Sequence, residues 1–213
     1  MDRRYYATAR REIAPHLPAR VSRMLDVGCG DGATTAFVKA ERQVAWAAGV
    51  EYVAQSAEAA RGVCDAVWVG DVQALPLEET IAPGSLDLVL CLDVLEHLAD
   101  PWTTVSRLSA LIAPGGRLIV SVPNIRNWKF IRNLALKGDF HYRDAGLLDR
   151  THLRFFVRDT AVALAQSGGL TVIHAGNAHP WPALSGRRLL SRLTFHGLDE
   201  LMIKQHIVVA ERR

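Results

Sequence analysis

The stretch LDVGCGDGATT, residues 25–35, decides the fold. An apolar run ends there in glycines at 28, 30 and 32 and a helix-forming run begins at once, so strand, tight turn and helix start follow without a gap. Glycine tolerates positive φ and lets the backbone approach a ligand at the amino end of a helix, which predicts a nucleoside or phosphate neighbour. Because Ala33 follows, the string also fits the G-x-G-x-x-G/A dinucleotide fingerprint. The loop by itself therefore leaves NAD and other adenosine cofactors open.

Outward from this loop, strand-like and helix-like runs alternate, the pattern of a parallel sheet covered by helices, and the class is α/β. RVSRMLDVG (20–28) reads as the first strand, DGATTAFVKAERQ (31–43) as a helix and VAWAAGVE (44–51) as the second strand. AQSAEAARGV (54–63) returns as a helix and AVWVGD (66–71) is the third strand. The fourth, SLDLVLCLD (85–93), is almost continuously apolar and so predicts burial on both faces. PWTTVSRLSALIAPGG (101–116) predicts a helix closed by Pro-Gly-Gly, and RLIVSVPN (117–124) the fifth strand. After an interruption, RDTAVALAQSG (158–168) is a helix, LTVIHAG (170–176) a strand and QHIVVAER (205–212) the last strand. A helix before the first strand completes the economical arrangement, one domain over 1–213 with insertions at about 124–157 and 178–200.

Three carboxylates narrow the ligand by position. Asp26 precedes the glycines, Glu51 ends the second strand where a carboxylate can take both ribose hydroxyls, and Asp71 ends the third. In a doubly wound sheet these strand ends open onto one crevice. Three acids there disfavour a pyrophosphate and suit a cofactor that is cationic near its reactive centre and carries an ammonium and an adenine amine.

The chain has 213 residues, 49% of them apolar, and a net charge of +3, which is globular composition and excludes disordered and disulfide-scaffold classes. That small charge hides an asymmetry: residues 1–106 hold nine Lys/Arg against fifteen Asp/Glu, and residues 107–213 hold sixteen against seven. Cys29, Cys64 and Cys91 lack C-x-x-C spacing, so neither a disulfide frame nor a zinc site is expected and a reducing cytoplasm fits. The first residues lack the apolar core of a signal peptide, and no apolar run approaches the ~18–20 residues of a membrane span.

The set LDVGCGDG, VE at 50–51, GDVQALPL at 70–77, LDLVLCLDVLEHLADP at 86–101 and LIAPGGRLIVSVPN at 111–124 resembles the class I S-adenosylmethionine-dependent methyltransferases. VLEHLADP and DAGLLDRTHLRFF (144–156) look like the small-molecule members related to the ubiquinone and glycan-modifying groups. The resemblance implies a seven-stranded Rossmann-like sheet of order 3-2-1-4-5-7-6 with the last strand antiparallel, helices on both faces and a lid insertion after strand five. It also implies S-adenosylmethionine as methyl donor, with S-adenosylhomocysteine as product. Asp26 and the loop Gly28, Cys29, Gly30 and Gly32 would face the methionine moiety, Glu51 with Tyr52 beside it the ribose, Asp71 with Val72 the adenine, and Leu92 the sulfonium. Tyr6 would close over the cofactor as an aromatic lid. Cys29, between two loop glycines with no adjacent base, reads as filler rather than nucleophile.

For a hydroxyl acceptor a general base helps, and imidazole titrates near working pH. His97, just beyond strand four, and His152, in the segment that would cover the crevice, are the candidate bases, with packed histidines as the plain alternative. His141, Tyr142, Arg143, Arg150 and Arg154 are candidate acceptor contacts. Residues 124–158 carry a net +5, and Ile125, Trp128, Ile131 and Leu134 recur on one helical face with Arg126, Lys129 and Arg132 on others; LSGRRLLSRL (184–193) is a second such piece. The basic half predicts solvated lid helices, an anionic or lipid-linked acceptor such as a linked sugar, or peripheral contact with an anionic membrane. Asp93 and Glu96 lack an evident third ligand, read as a strand end and a helix cap, and no metal is expected. The expected function is methyl transfer to a small molecule, most readily to a hydroxyl of a glycan precursor, quinone-like ring or other metabolite. RNA methylation, a non-catalytic cofactor-binding regulator and a nicotinamide dehydrogenase are the competing readings; nucleic acid ranks low because aromatics do not alternate with arginines as a stacking platform would.

Overall fold

The computed structural model describes residues 8–179, 181, 185, 186, 191, 193, 194 and 198–213. Tyr6 and most of the 184–193 segment lie outside the described residues. Seven strands form one sheet: β1 (Arg23–Val27), β2 (Trp46–Glu51), β3 (Ala66–Val69), β4 (Leu86–Leu92), β5 (Ile112–Pro123), β6 (Thr171–Asn177) and β7 (Gln205–Glu211). Their order is β3-β2-β1-β4-β5-β7-β6, with β7 antiparallel to β5 and β6 and the remaining neighbours parallel, as the resemblance implies. Helices α1 (Ala33–Glu41), α2 (Ala54–Ala60), α3 (Pro101–Leu111), α4 (Trp128–Lys137), α5 (Arg158–Gln166) and α6 (Asp199–Met202) connect or flank the strands.

Side-chain alternation along the strands builds a core on each side of the sheet. Leu25 and Val27 of β1 join Val89 and Cys91 of β4 and Leu108 of α3 on one face. Met24 joins Leu88, Leu90 and Leu92 of β4 and Phe37 and Val38 of α1 on the other. Asp26, in register with Met24, thus points toward α1 and not toward open solvent. Six of the seven residues of β4 are buried, which matches its apolar run.

Two local expectations are corrected. The Pro-Gly-Gly segment does not close a helix running to 116: α3 ends at Leu111 and β5 begins at Ile112, which pairs with Leu86 before the register shifts ahead of Leu88. Gly116 lies so close to β4 that an added Cβ would come within 2.7 Å of the Leu86 carbonyl, so only glycine lets the chain cross there. The helix expected before β1 is a 3-10 turn, Arg11–His16, with Pro15 inside it. The basic amphipathic helix is present as α4, capped by the Asn127 side chain, which accepts from Lys129 N, and closed by Gly138 in the left-handed region. It fully buries none of its residues, and its apolar stripe of Trp128, Ile131 and Leu134 is about two-fifths exposed, with Arg132 stacked over Trp128 at 4.6 Å. No helix among the described residues is long and apolar enough to cross a membrane.

Candidate cofactor crevice and acceptor side

Where β1 ends, Gly28, Gly30 and Gly32 all take positive φ, at 74°, 58° and 88°. Gly28 N and Cys29 N both donate to Val50 O of β2, at 2.8 and 3.1 Å, which pins the turn to the sheet. A Cβ on Gly28 would lie 2.4 Å from Val94 Cγ2, so the loop rests directly on the segment that follows β4. Glu51 clamps the turn: Oε2 accepts from Gly30 N at 2.9 Å and Oε1 from Val53 N at 2.9 Å, leaving a second lone pair on each oxygen. Tyr52, beside it, is exposed.

Asp26 lies underneath this loop. Its Oδ2 accepts from Thr35 Oγ1 at 2.8 Å in the first turn of α1, and burial raises its pKa to about 7 against the partial relief that Thr35 gives. Cys29 turns its sulfur inward, packing on Ala60 and Cys64 beneath Gly49, and contact with the Cys64 thiol together with burial pushes its pKa up. Its side chain thus fills space beneath the loop. Asp71 holds its own turn, accepting from Gln73 N at 2.9 Å and from the Gln73 side-chain amide. The following residues hang from α3: Arg107 donates to Val72 O, Gln73 O and Leu75 O and pairs with Glu78 at 2.7 Å. Val72 and Leu92 are buried.

At the end of β4, Asp93 is the one described non-glycine residue with positive φ, at 57°. It is held from two sides. Arg10 Nη1 and Gln205 Nε2 donate to its two carboxylate oxygens, and both side chains also donate to Ser121 Oγ. Arg10 N further donates to Thr34 Oγ1 at 3.2 Å, so the chain before β1 straps the glycine-loop helix to the end of β4. Arg10, Arg107 and Gln205 carry no local sequence signal, because their partners are distant in the chain.

Next comes a 3-10 turn, Leu95–His97, on which the segment around residue 153 docks: Leu153 N and Arg154 N both donate to Glu96 O, at 2.8 and 3.0 Å. The docking brings His152 to His97, ring centroids 4.8 Å apart and edge to face. Each imidazole is held by Nδ1. His97 Nδ1–H donates toward Thr151 O and Oγ1 at 3.2 and 3.1 Å while Thr151 Oγ1 donates to Asp149 at 2.6 Å, and His152 Nδ1–H donates to Leu147 O at 3.1 Å. Both Nε2 atoms therefore keep a lone pair. Burial holds His152 below the usual imidazole range. Glu96 is not the helix cap read from sequence. It is 1% exposed, neither carboxylate oxygen has a hydrogen-bond partner, and burial first, then Asp93, raises its pKa well above the carboxylate range.

An aromatic chain leads outward from the histidines, His152 to Phe155, Phe155 to Phe140, and Phe140 to both Phe130 and Tyr142, with centroid separations of 5.7 to 6.5 Å. Phe140 and Tyr142 are exposed. His141 is exposed and paired with Asp139 at 2.8 Å. The arginines of the same segment have internal partners: Arg143 reaches Asp139 at 3.5 Å, Arg150 pairs with Asp144 at 2.7 Å, and Arg154 donates to Ala99 O and lies over Trp102. The structure thus gathers the loop, Glu51, Val94, His97 and His152 along the carboxyl ends of β1, β2 and β4, and spends the three arginines on neighbouring groups.

These residues suit the adenosyl cofactor. The loop turns on three positive-φ glycines at the amino end of α1, Glu51 keeps acceptor capacity for hydroxyls, and Glu51 and Asp71 stand at or just past the ends of β2 and β3. The profile of a methyltransferase domain family matches residues 1–175. The ubiquinone biosynthesis O-methyltransferase of Xanthomonas euvesicatoria is 28% identical over 180 residues, covering 78% of this chain and 70% of the relative. Among solved structures, a SAM-dependent methyltransferase from Archaeoglobus fulgidus superposes with a TM-score of 0.66 at 16% identity, covering 99% of this chain and 95% of that one. A methyltransferase of Haloferax volcanii, solved in complex with the Trm112 activator, gives 0.65 at 15% identity over 98% of this chain and 92% of that one. Motif order, strand order and the family match agree, and the chain belongs to the class I S-adenosylmethionine-dependent methyltransferases.

Proposed function

We propose that the enzyme methylates a hydroxyl on a small molecule with an aromatic or otherwise apolar body, the hydroxyl being delivered to the His97–His152 pair. The observation that carries this reading is the joining of those two imidazoles, each with a lone pair on Nε2, to the aromatic chain Phe155, Phe140 and Tyr142, beside the segment that abuts the glycine loop. The name of the Xanthomonas relative, an O-methyltransferase of ubiquinone biosynthesis, supports the same acceptor class.

The Gly28–Gly32 backbone, Glu51, Asp71, Val72 and Leu92 would hold the cofactor, with Asp26 supporting the loop from below. Bound there, the sulfonium supplies an electrophilic methyl whose C–S bond breaks with its electron pair going to sulfur. The protein's share is then alignment of the acceptor oxygen, exclusion of water and handling of one proton. The aromatic chain orients a flat apolar body, and the imidazole edge meets the O–H. Because Arg143, Arg150 and Arg154 already have partners, a neutral acceptor fits better than an anionic or lipid-linked one.

The test is a competition: labelled S-adenosylmethionine with neutral phenols and catechols in one set and sugar phosphates and nucleotide sugars in another. The reading expects label in the phenolic ether. Label only in the phosphorylated set, or on nitrogen or carbon, overturns it.

A further inference from the structure

The structure assigns a divalent transition-metal site to Glu96, His97 and His152. Each offers one ligand atom, and the three atoms lie within 4.8 Å of one another. Sequence reading missed the set because His152 is 55 residues beyond His97 and joins it only through the docking of Leu153 and Arg154 on Glu96 O.

Three independent features point to a cation. The Glu96 carboxyl is 1% exposed with both oxygens unpartnered, an arrangement that is unfavourable unless something positive or hydrogen-bonding meets it. Both histidines have Nδ1 engaged, His97 by the Thr151–Asp149 pair and His152 by a backbone carbonyl, which is how metal-binding imidazoles are usually oriented with Nε2 free. Arg10, whose charge bears on Glu96 from a distance, pairs with Asp93 and Glu12 and makes no hydrogen bond to the Glu96 carboxyl.

Two imidazoles and one carboxylate suit Zn2+, Co2+ or Mn2+ better than Mg2+ or Ca2+, which prefer all-oxygen shells. Ligand atoms around such an ion sit about 3.4 Å apart. Closing from the widest spacing the group allows needs about 1.4 Å of approach, available by side-chain rotation to the half-buried His97. Three protein ligands leave a coordination position open toward the acceptor side. The role of the ion, though not its binding, rests on the hydroxyl reading above, with the two imidazoles then holding the ion instead of meeting the O–H themselves: the acceptor oxygen would bind at the open position and lose its proton to water, and a lone pair on that oxygen would form the new O–CH3 bond as the C–S bond breaks toward sulfur.

The test uses tag-free, chelator-stripped protein titrated with CoCl2 and, separately, ZnCl2, read by calorimetry and by the visible absorption of Co2+. One ion per chain is expected. In Glu96→Gln and His152→Gln, affinity should fall at least tenfold while S-adenosylhomocysteine affinity stays within about threefold; His97→Gln serves if either variant fails to bind that product. Absence of stoichiometric binding, or binding unchanged in all the variants, overturns the site. Methyl transfer at an equal rate by stripped and loaded enzyme overturns the ion's catalytic role. Stoichiometric binding without any phenolic product sinks the acceptor reading and leaves the metal site standing.

Discussion

Replacing Asp26 with asparagine should stabilise the ligand-free protein, and by more as the pH rises. Asp26 is 2% exposed and its native pKa is raised from 3.8 to about 7 by burial. The native state therefore binds this proton more tightly than the unfolded chain does. The stability it represents is complete below the unfolded value and is lost as pH climbs to about 7, after which the loss is constant. A shift of about three units corresponds to about 4 kcal/mol across the full window, of which about 2 kcal/mol falls between roughly pH 5.5 and 8. Asparagine keeps the contact with Thr35 Oγ1 and carries no titrating proton. The advantage of Asp26→Asn over wild type should thus widen by about 2 kcal/mol between those two pH values, or roughly 4–8 °C in Tm for a chain of this length. Urea unfolding monitored by fluorescence at both pH values, without cofactor, measures it. A gap that is flat or narrows with pH would mean that Asp26 is ionised in the native state, and the burial argument would be wrong.

Gly28→Ala places a Cβ 2.4 Å from Val94 Cγ2 at φ 74°, so it should cost about 2–4 kcal/mol in stability and at least tenfold in cofactor affinity, both readable by thermal shift with and without S-adenosylhomocysteine. Glu51→Gln keeps one acceptor oxygen and turns an amide donor on Gly30 N or Val53 N; a destabilisation of about 1–3 kcal/mol with weakened cofactor binding is expected, and unchanged calorimetric affinity would refute the clamp. Phe140→Ala breaks the aromatic chain at its middle and should raise KM for a phenolic acceptor several-fold while leaving KM for S-adenosylmethionine in place. Arg150→Gln removes an exposed ion pair of about 0–1 kcal/mol and should leave acceptor KM unchanged; a large increase would restore the case for an anionic acceptor.

Amino-acid sequence by itself determined the class of fold, the strand order through the motif resemblance, and the glycine turn, because period-two burial and a turn that needs positive φ depend on residues close in the chain and the resemblance rests on ordered local motifs. It did not determine what Asp26 does, since the register of β1 against α1 sends that carboxylate under the loop to Thr35. Nor did it reveal the strap of Arg10 and Gln205 on Asp93, contacts that span 83 and 112 residues. Glu96 shows the difference most sharply. Beside His97 in sequence it reads as a helix cap; only the docking of the 144–156 segment buries it unpartnered and sets His152 against His97. A count of charges in the basic half misses that Arg143 and Arg150 are answered locally by Asp139 and Asp144, while the distant partner, Ala99 O for Arg154, comes from packing across 55 residues. Local chemistry follows from neighbours along the backbone, whereas which polar groups meet, and which are left unpaired, is decided only when distant segments pack.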